Sequence, residues 1–314
     1  VANKTGVAFV FPGQGSQYIG MGKDLVETYP QVRAAFDMAT DMLDKGFLDL
    51  CVNGPESDLN DTLNTQVCIY IISYGIYAML EESGIQPQVM AGHSLGEYSA
   101  LTAAKTFKFD EGLRIVAKRA ELMSEAAREH PGAMLAVLGA DMRGVDDAVS
   151  QLSQQGMIAV ANYNSPGQIV VSVDKDLVDN ATVALLQTGA KKVVPLPVSG
   201  AFHSPAMKPA QEQFNGFLES FIFMTADVPV VPNTLAKPAV DPAQLKEALE
   251  RQMASAVKWQ QSVEQMIGLG ITTFVEVGPG QVLSKIIKRI DRQISVLPTE
   301  TPEFLEKVLS ELVA

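Results

Sequence analysis

Short, unbroken apolar runs set the frame of this chain. Val7-Ala8-Phe9-Val10-Phe11 has no polar relief, which predicts a strand buried on both faces of a parallel sheet. It opens into Pro12-Gly13-Gln14-Gly15-Ser16-Gln17, a glycine-rich loop. Val89-Met90-Ala91-Gly92 predicts a second such strand. Thr273-Phe274-Val275-Glu276-Val277 predicts another, ending in Gly278-Pro279-Gly280 before a helix. Residues 68–80 are apolar all round. The stretch is too short to span a bilayer and contains Ser73 and Gly75, so it reads as a buried helix. Residues 97–104 predict the helix after the second strand. Residues 110–129 carry an amphipathic stripe and predict a long helix, with Asp110 placed to cap it.

From Gly132 the texture changes to shorter, alternating segments. Residues 133–138 predict a strand, 145–155 a helix and 158–161 a strand. Residues 168–173 predict a strand, 177–188 a helix and 192–197 a last strand. That βαββαβ order is the split βαβ, or ferredoxin-like, pattern. Residues 132–198 are therefore expected to form a small inserted subdomain. The main body is expected to be discontinuous, residues 1–131 and 199–314, with an α/β core built on a parallel sheet. No tandem repeat and no low-complexity linker interrupts the chain.

Composition narrows the function. Of 314 residues, 47% are apolar, enough for a sizeable core. Lys plus Arg number 24 and Asp plus Glu 36, a net charge of −12. A surface this acidic argues against nucleic-acid binding, which needs cations to replace phosphate counterions. It leaves room for a small anionic substrate held by one arginine. Cys51 and Cys68 form no CxxC pair and read as core thiols in a reducing compartment. With three histidines and no His/Cys cluster, no metal is expected. No secretory leader is legible, because residues 7–11 are too short for an apolar leader core. A cytoplasmic protein without membrane association is expected.

Gly92-His93-Ser94-Leu95-Gly96 fits G-x-S-x-G between a predicted strand and a predicted helix. A nucleophilic serine stands on a sharp turn that flanking side chains would obstruct, and the following helix aims its N-terminal dipole at it. The Leu95 N–H is then placed to bind an oxyanion. The competing reading is a structural strand-to-helix turn. A serine hydroxyl needs a base. His93 adjoins Ser94 and should project away from it, and His130, in a helix-ending turn, should face solvent. His203, in a loop that leads into a helix, remains as the base. No Asp or Glu lies near it to complete a triad.

Arg119 lies three residues after Val116 and four before Met123, on the apolar stripe of its helix. Spacing alone favours an internal salt bridge or a snorkelling side chain. The alternative is a guanidinium fork for a substrate carboxylate.

Longer motifs decide among these readings. They are residues 11–17; Ala91-Gly92-His93-Ser94-Leu95-Gly96-Glu97-Tyr98-Ser99-Ala100-Leu101; Ala117-Lys118-Arg119; Asn162-Tyr163-Asn164-Ser165-Pro166-Gly167-Gln168; Gly200-Ala201-Phe202-His203; and Glu276-Val277-Gly278-Pro279-Gly280. In order and spacing the chain resembles the malonyl-CoA:acyl carrier protein transacylase family, nearly end to end. The resemblance implies a hydrolase-like α/β domain with an inserted ferredoxin-like subdomain. It implies transfer of a malonyl group from malonyl-CoA to the phosphopantetheine thiol of an acyl carrier protein, by a ping-pong route through a Ser94 ester. His203 would be the base, Arg119 would hold the free carboxylate, and the N–H groups of Gln14 and Leu95 would form the oxyanion hole. The backbone carbonyl of Gln252 would orient His203 in place of a triad acid. Asn162 matches a residue near the site. Phe202, directly before the histidine, would crowd an α-methyl group and favour malonyl over methylmalonyl. The chain has Ala256 where the family often has proline, which loosens the correspondence at Gln252.

No tightly bound cofactor is expected, with malonyl-CoA as substrate and coenzyme A as product. A monomer that docks a carrier protein is expected, through Lys285, Lys288 and Arg289 or through Lys191 and Lys192. A serine esterase or thioesterase on the same scaffold is the first alternative, and a non-catalytic scaffold subunit the second. The sequence does not separate fatty-acid synthesis, polyketide synthesis and malonate decarboxylation.

Overall fold

A computed structural model describes residues 6–198 and 200–313. Two sheets organise it. The larger holds β1 (Gly6–Phe11) and β2 (Val89–Gly92), and the smaller holds β3 (Gly132–Leu138), β4 (Ile158–Ser165), β5 (Gln168–Asp174) and β6 (Lys192–Pro195). The larger is completed by β7 (Val230–Val231), β8 (Ile271–Glu276) and β9 (Ser295–Pro298).

The larger sheet is parallel throughout, in the order β7-β2-β1-β8-β9. The unbroken apolar run of β1 is explained by its central place. Phe9 and Phe11 enter one core, with Met90, Val275 and Val277. Ala8 and Val10 enter a second core on the opposite face, with Ala91, Phe274, Trp259 and Leu283. A strand with helices on both sides has no position at which a polar residue could reach water. The helix Thr62–Glu82 lies in the first core, with most of its side chains buried. It is long and apolar enough to cross a membrane, but here its apolar surface is covered by protein. Cys51 and Cys68 are fully buried free thiols.

The smaller sheet is antiparallel, in the order β4-β5-β3-β6. With the helices Met142–Leu152 and Val178–Gln187 it follows the expected βαββαβ order and has its own core, which includes Leu135, Val145, Val171 and Leu185. The small sheet is stitched to the body next to the site. Asn162 on β4 bridges to Val257, with the Val257 N–H donating to the Ala161 carbonyl at 2.8 Å. Ser199, where the second part of the main body is expected to begin, lies outside the described residues.

One capping expectation is corrected. The long helix runs Phe109–Glu129, so Asp110 is inside its first turn and is not the cap. The cap is Lys108, whose backbone N–H donates to the Glu111 carboxylate at 2.9 Å. Glu111 sits at the third helical position, from which a carboxylate reaches back to the cap N–H. Strands β7 and β9 carry no expectation from the sequence. The first is two residues long between Pro229 and Pro232, too short to show a period.

Candidate active site

The parallel strands deliver two loops to one end of the sheet. β1 ends in the loop that carries Gln14, and β2 ends in the turn that carries Ser94. That turn is tight. A Cβ on Gly92 would sit 1.8 Å from the Gly96 carbonyl carbon, and one on Gly96 would sit 1.9 Å from the Phe11 carbonyl oxygen. Both positions therefore admit only glycine. Ser94 itself has φ 52, the left-handed region that costs a non-glycine residue energy. Asn233 holds the strained turn. Its side-chain oxygen accepts from the Ser94 N–H at 2.8 Å, and its amide donates to the Gly92 carbonyl at 2.6 Å. No sequence pattern points to Asn233, which comes from the loop after β7.

The Ser94 hydroxyl lies 2.7 Å from the Nε2 of His203. The Nδ1 of His203 is 3.1 Å from the backbone carbonyl of Gln252. A carbonyl only accepts, so Nδ1 carries the proton and Nε2 is left as the acceptor for the serine. A backbone carbonyl thus occupies the place of a triad carboxylate. His203 is 4% exposed, and burial, with the Arg119 charge second, pushes its imidazole down to about 3. It is neutral at physiological pH, the form a general base requires.

Arg119 is 1% exposed and reaches the same hydroxyl, its Nη2 donating to the Ser94 Oγ at 3.0 Å. Nη2 also donates to the Gln252 side-chain oxygen at 3.0 Å, and Nη1 to the Gln66 side-chain oxygen at 2.6 Å. The guanidinium sits 5.1 Å from the centre of the Tyr98 ring. Among the described residues no carboxylate pairs directly with it. The internal salt bridge favoured by spacing is therefore absent, and so is a snorkelling side chain. A buried cation held by neutral amides and one aromatic face keeps an unmet preference for an anion.

Gln252, fully buried at the end of the helix Pro242–Gln252, joins these parts. Its Nε2 donates to the Ser94 carbonyl at 2.8 Å and to the Glu97 carboxylate at 3.0 Å. Glu97 also accepts from the Asn233 N–H at 2.9 Å. Burial raises the Glu97 carboxyl to about 7, against those two hydrogen bonds and the Arg119 charge.

A cleft of about 220 Å³ opens over Ser94. Gln14, Leu95, Arg119, Asn162, Phe202 and His203 all line it. The backbone N–H groups of Gln14 and Leu95 donate to no protein acceptor among the described residues. The Asn162 side-chain amide likewise has no hydrogen-bond partner there, although the residue is only 5% exposed. Phe202 is 4% exposed, so its ring serves the core and the cleft wall together. The small sheet forms much of the opposite wall, and Leu283 and Ile286 form another. His93 turns from the serine toward Asn164, 2.8 Å from its side-chain oxygen, and His130 is exposed. Glu276 serves structure, its buried carboxylate accepting from the N–H groups of Leu283 and Ser284 at the start of the helix Val282–Ile290.

This geometry can do one kind of chemistry well. It offers an oxygen nucleophile, a neutral base with a fixed tautomer, free N–H donors and an anion-seeking fork at the nucleophile. Comparison with known proteins agrees. Residues 8–304 match the family described as the acyl transferase domain. The chain is 40% identical over 307 residues to the malonyl CoA-acyl carrier protein transacylase of Bacillus subtilis (strain 168), covering 98% of this chain and 97% of that protein. It is 38% identical over 306 residues to the same-named protein of Escherichia coli (strain K12), covering 97% and 99%. Its fold matches the acyl carrier protein S-malonyltransferase of Vibrio cholerae with a TM-score of 0.94 at 38% identity, covering 97% and 100%. It matches a malonyl-transacylase solved in complex with its type II polyketide acyl-carrier protein with a TM-score of 0.95 at 37% identity, covering 98% and 100%. The chain belongs to the malonyl-CoA:acyl carrier protein transacylase family.

Proposed function

We propose that this protein moves a malonyl group from malonyl-CoA to the phosphopantetheine thiol of an acyl carrier protein, through an ester on Ser94. The observation that carries the reading is the buried Arg119 fork in direct contact with the nucleophile, at 3.0 Å. In malonate a single methylene separates the two carboxyl carbons. A carboxylate clamp touching the nucleophile suits that diacid and leaves longer diacids without room.

His203 Nε2 takes the proton as the Ser94 oxygen bonds to the thioester carbonyl carbon. The Gln14 and Leu95 N–H groups receive the charge that develops on the carbonyl oxygen. Collapse breaks the C–S bond, and the imidazolium returns its proton to the departing coenzyme A sulfur. The carrier thiol then repeats the sequence in reverse. The malonyl carboxylate engages Arg119, drawing Nη2 away from the serine lone pair. It also offsets the positive charge that disfavours the imidazolium. A substrate without that carboxylate leaves both handicaps in place, which favours acyl transfer from malonyl thioesters over the hydrolysis of ordinary esters.

In this reading residues 1–131 and 199–314 supply the chemistry, and the inserted residues 132–198 supply the roof with Asn162. The enzyme works as a cytoplasmic monomer and needs no tightly bound cofactor. Carrier docking falls to Lys285, Lys288 and Arg289, because their helix also places Leu283 and Ile286 in the cleft wall. Intact-mass measurement after mixing with malonyl-CoA tests the reading. Malonyl should appear on the wild type and be absent from Ser94→Ala, and equal loading of the two would refute the Ser94 ester.

A further inference from the structure

Arg119 presents a physical problem. A direct carboxylate partner would occupy the fork that the substrate needs, yet an isolated buried cation is costly. The structure places the nearest buried carboxylate, Glu97, one amide away. Glu97 Oε2 accepts from the Gln252 Nε2 at 3.0 Å, and the Gln252 Oε1 accepts from the Arg119 Nη2 at 3.0 Å. The opposing charges are thereby joined through the Gln252 amide dipole, and the guanidinium edge stays available.

The amide could in principle rotate and exchange its oxygen and nitrogen. Two groups prevent it. The Ser94 carbonyl and the Glu97 carboxylate are both acceptors at the Gln252 Nε2, so only the N–H₂ end suits that side. Glu97 is itself fixed, because Asn233 donates its backbone N–H to the same oxygen at 2.9 Å. A flipped amide would aim N–H donors at a guanidinium, which has no acceptor.

We infer that Glu97 is a positioning residue for acyl selectivity: by fixing the side-chain amide of Gln252, it directs the Arg119 fork toward the substrate carboxylate. It touches neither substrate nor nucleophile. The inference rests on the malonyl reading of the site.

The test compares second-order rates of malonyl and acetyl loading from their coenzyme A thioesters, read as intact mass on Ser94. Glu97→Met removes the acceptor at similar length, whereas Glu97→Gln keeps an oxygen for the Asn233 N–H and the Gln252 amide. Glu97→Met is expected to lower the malonyl-to-acetyl ratio about tenfold, the size of one weakened hydrogen bond to a charged group. Glu97→Gln is expected to stay within about threefold of the wild type, an acceptor being retained. A merely structural role would slow both acyl groups together, so an unchanged ratio in folded Glu97→Met overturns the inference. An equal collapse in Glu97→Gln also overturns it. If Glu97→Met does not fold, Gln252→Met takes its place, since it keeps the main-chain carbonyl for His203 but offers no amide. The same tenfold fall is expected, and an unchanged ratio overturns the inference. A wild type that loads malonyl and acetyl alike would instead defeat the malonyl reading itself.

Discussion

The Nη2 of Arg119 donates a hydrogen bond to the Oγ of Ser94 at 3.0 Å, so the site's one buried cation rests directly on its nucleophile. Arginine makes this arrangement workable. Its charge persists under burial, and its planar fork can serve Gln66, Gln252 and the serine while offering an edge to a carboxylate.

Arg119→Ala should therefore change the choice of substrate more than the chemistry. Loss of a two-point contact to a carboxylate is worth about 3 kcal/mol, so the malonyl-to-acetyl ratio should fall roughly a hundredfold. Arg119→Lys should recover little of this, because an ammonium lacks the fork. Loading rates from the two thioesters measure it directly, and a retained preference for malonyl would remove the clamp from the mechanism.

The base should work without an acid limb in the usual histidine range. Burial, then the Arg119 charge, lowers His203 to about 3. The sign follows: the imidazole is neutral above that value, so its basicity is lost only as pH falls through it. Labelling of Ser94 by a fluorophosphonate, which carries no carboxylate for Arg119, should be flat from about pH 5 to 8. In Arg119→Ala the second-largest of the depressing causes is gone, and a limb should rise toward the ordinary value near 6.5. A wild-type profile centred on 6.5 would contradict the buried geometry. His203→Ala should slow labelling by about 10²–10⁴ throughout.

How far these residues were legible follows from the range of the forces involved. The buried strands, the long helices and the βαββαβ order were readable because burial imposes a local period. Ser94 was readable because its turn requires glycines at fixed offsets. His203 followed from scarcity, with only three histidines in the chain. Arg119 was placed on the correct helix face, but spacing alone favoured a salt bridge, since a pattern on one helix does not show which partners other elements bring. Asn233 and Gln66 escaped for that reason. Their contacts are long-range, Asn233 to Ser94 across 139 residues and Gln66 to Arg119 across 53, and leave no local pattern.

Phe202 offers a test of steric selectivity. Its ring is 4% exposed and lines the cleft beside His203. Phe202→Val should admit an α-methyl group and raise the methylmalonyl-to-malonyl loading ratio by roughly 10-fold to 200-fold, the range of one methyl group in a pocket. The same change removes core volume and should cost about 2–4 kcal/mol of stability, measurable by urea unfolding. A stability loss with no change in ratio would leave the ring a purely structural role.

Carrier docking requires cations on a protein whose net charge is −12. The exposed Lys285, Lys288 and Arg289 share the helix Val282–Ile290, whose Leu283 and Ile286 form part of the cleft wall. The three cations are not equivalent. Lys288 already donates to the carbonyls of Arg292 and Ile294, and Arg289 reaches the Gln168 side chain. The Lys285 side chain makes no hydrogen bond or ion pair among the described residues and has its charge free for a partner. Lys285→Glu should therefore raise the KM for an acidic carrier protein about tenfold, with kcat/KM for loading from malonyl-CoA changed less. Added salt should narrow the gap between variant and wild type, because exposed charges are screened within about 10 Å at 0.1 M. Arg289→Glu should combine weaker docking with a loosened contact to Gln168, and so lower stability as well. If charge reversal at Lys285 and Arg289 leaves transfer to the carrier unchanged at low salt, docking lies elsewhere, and the exposed pair Lys191 and Lys192 is the next surface to reverse.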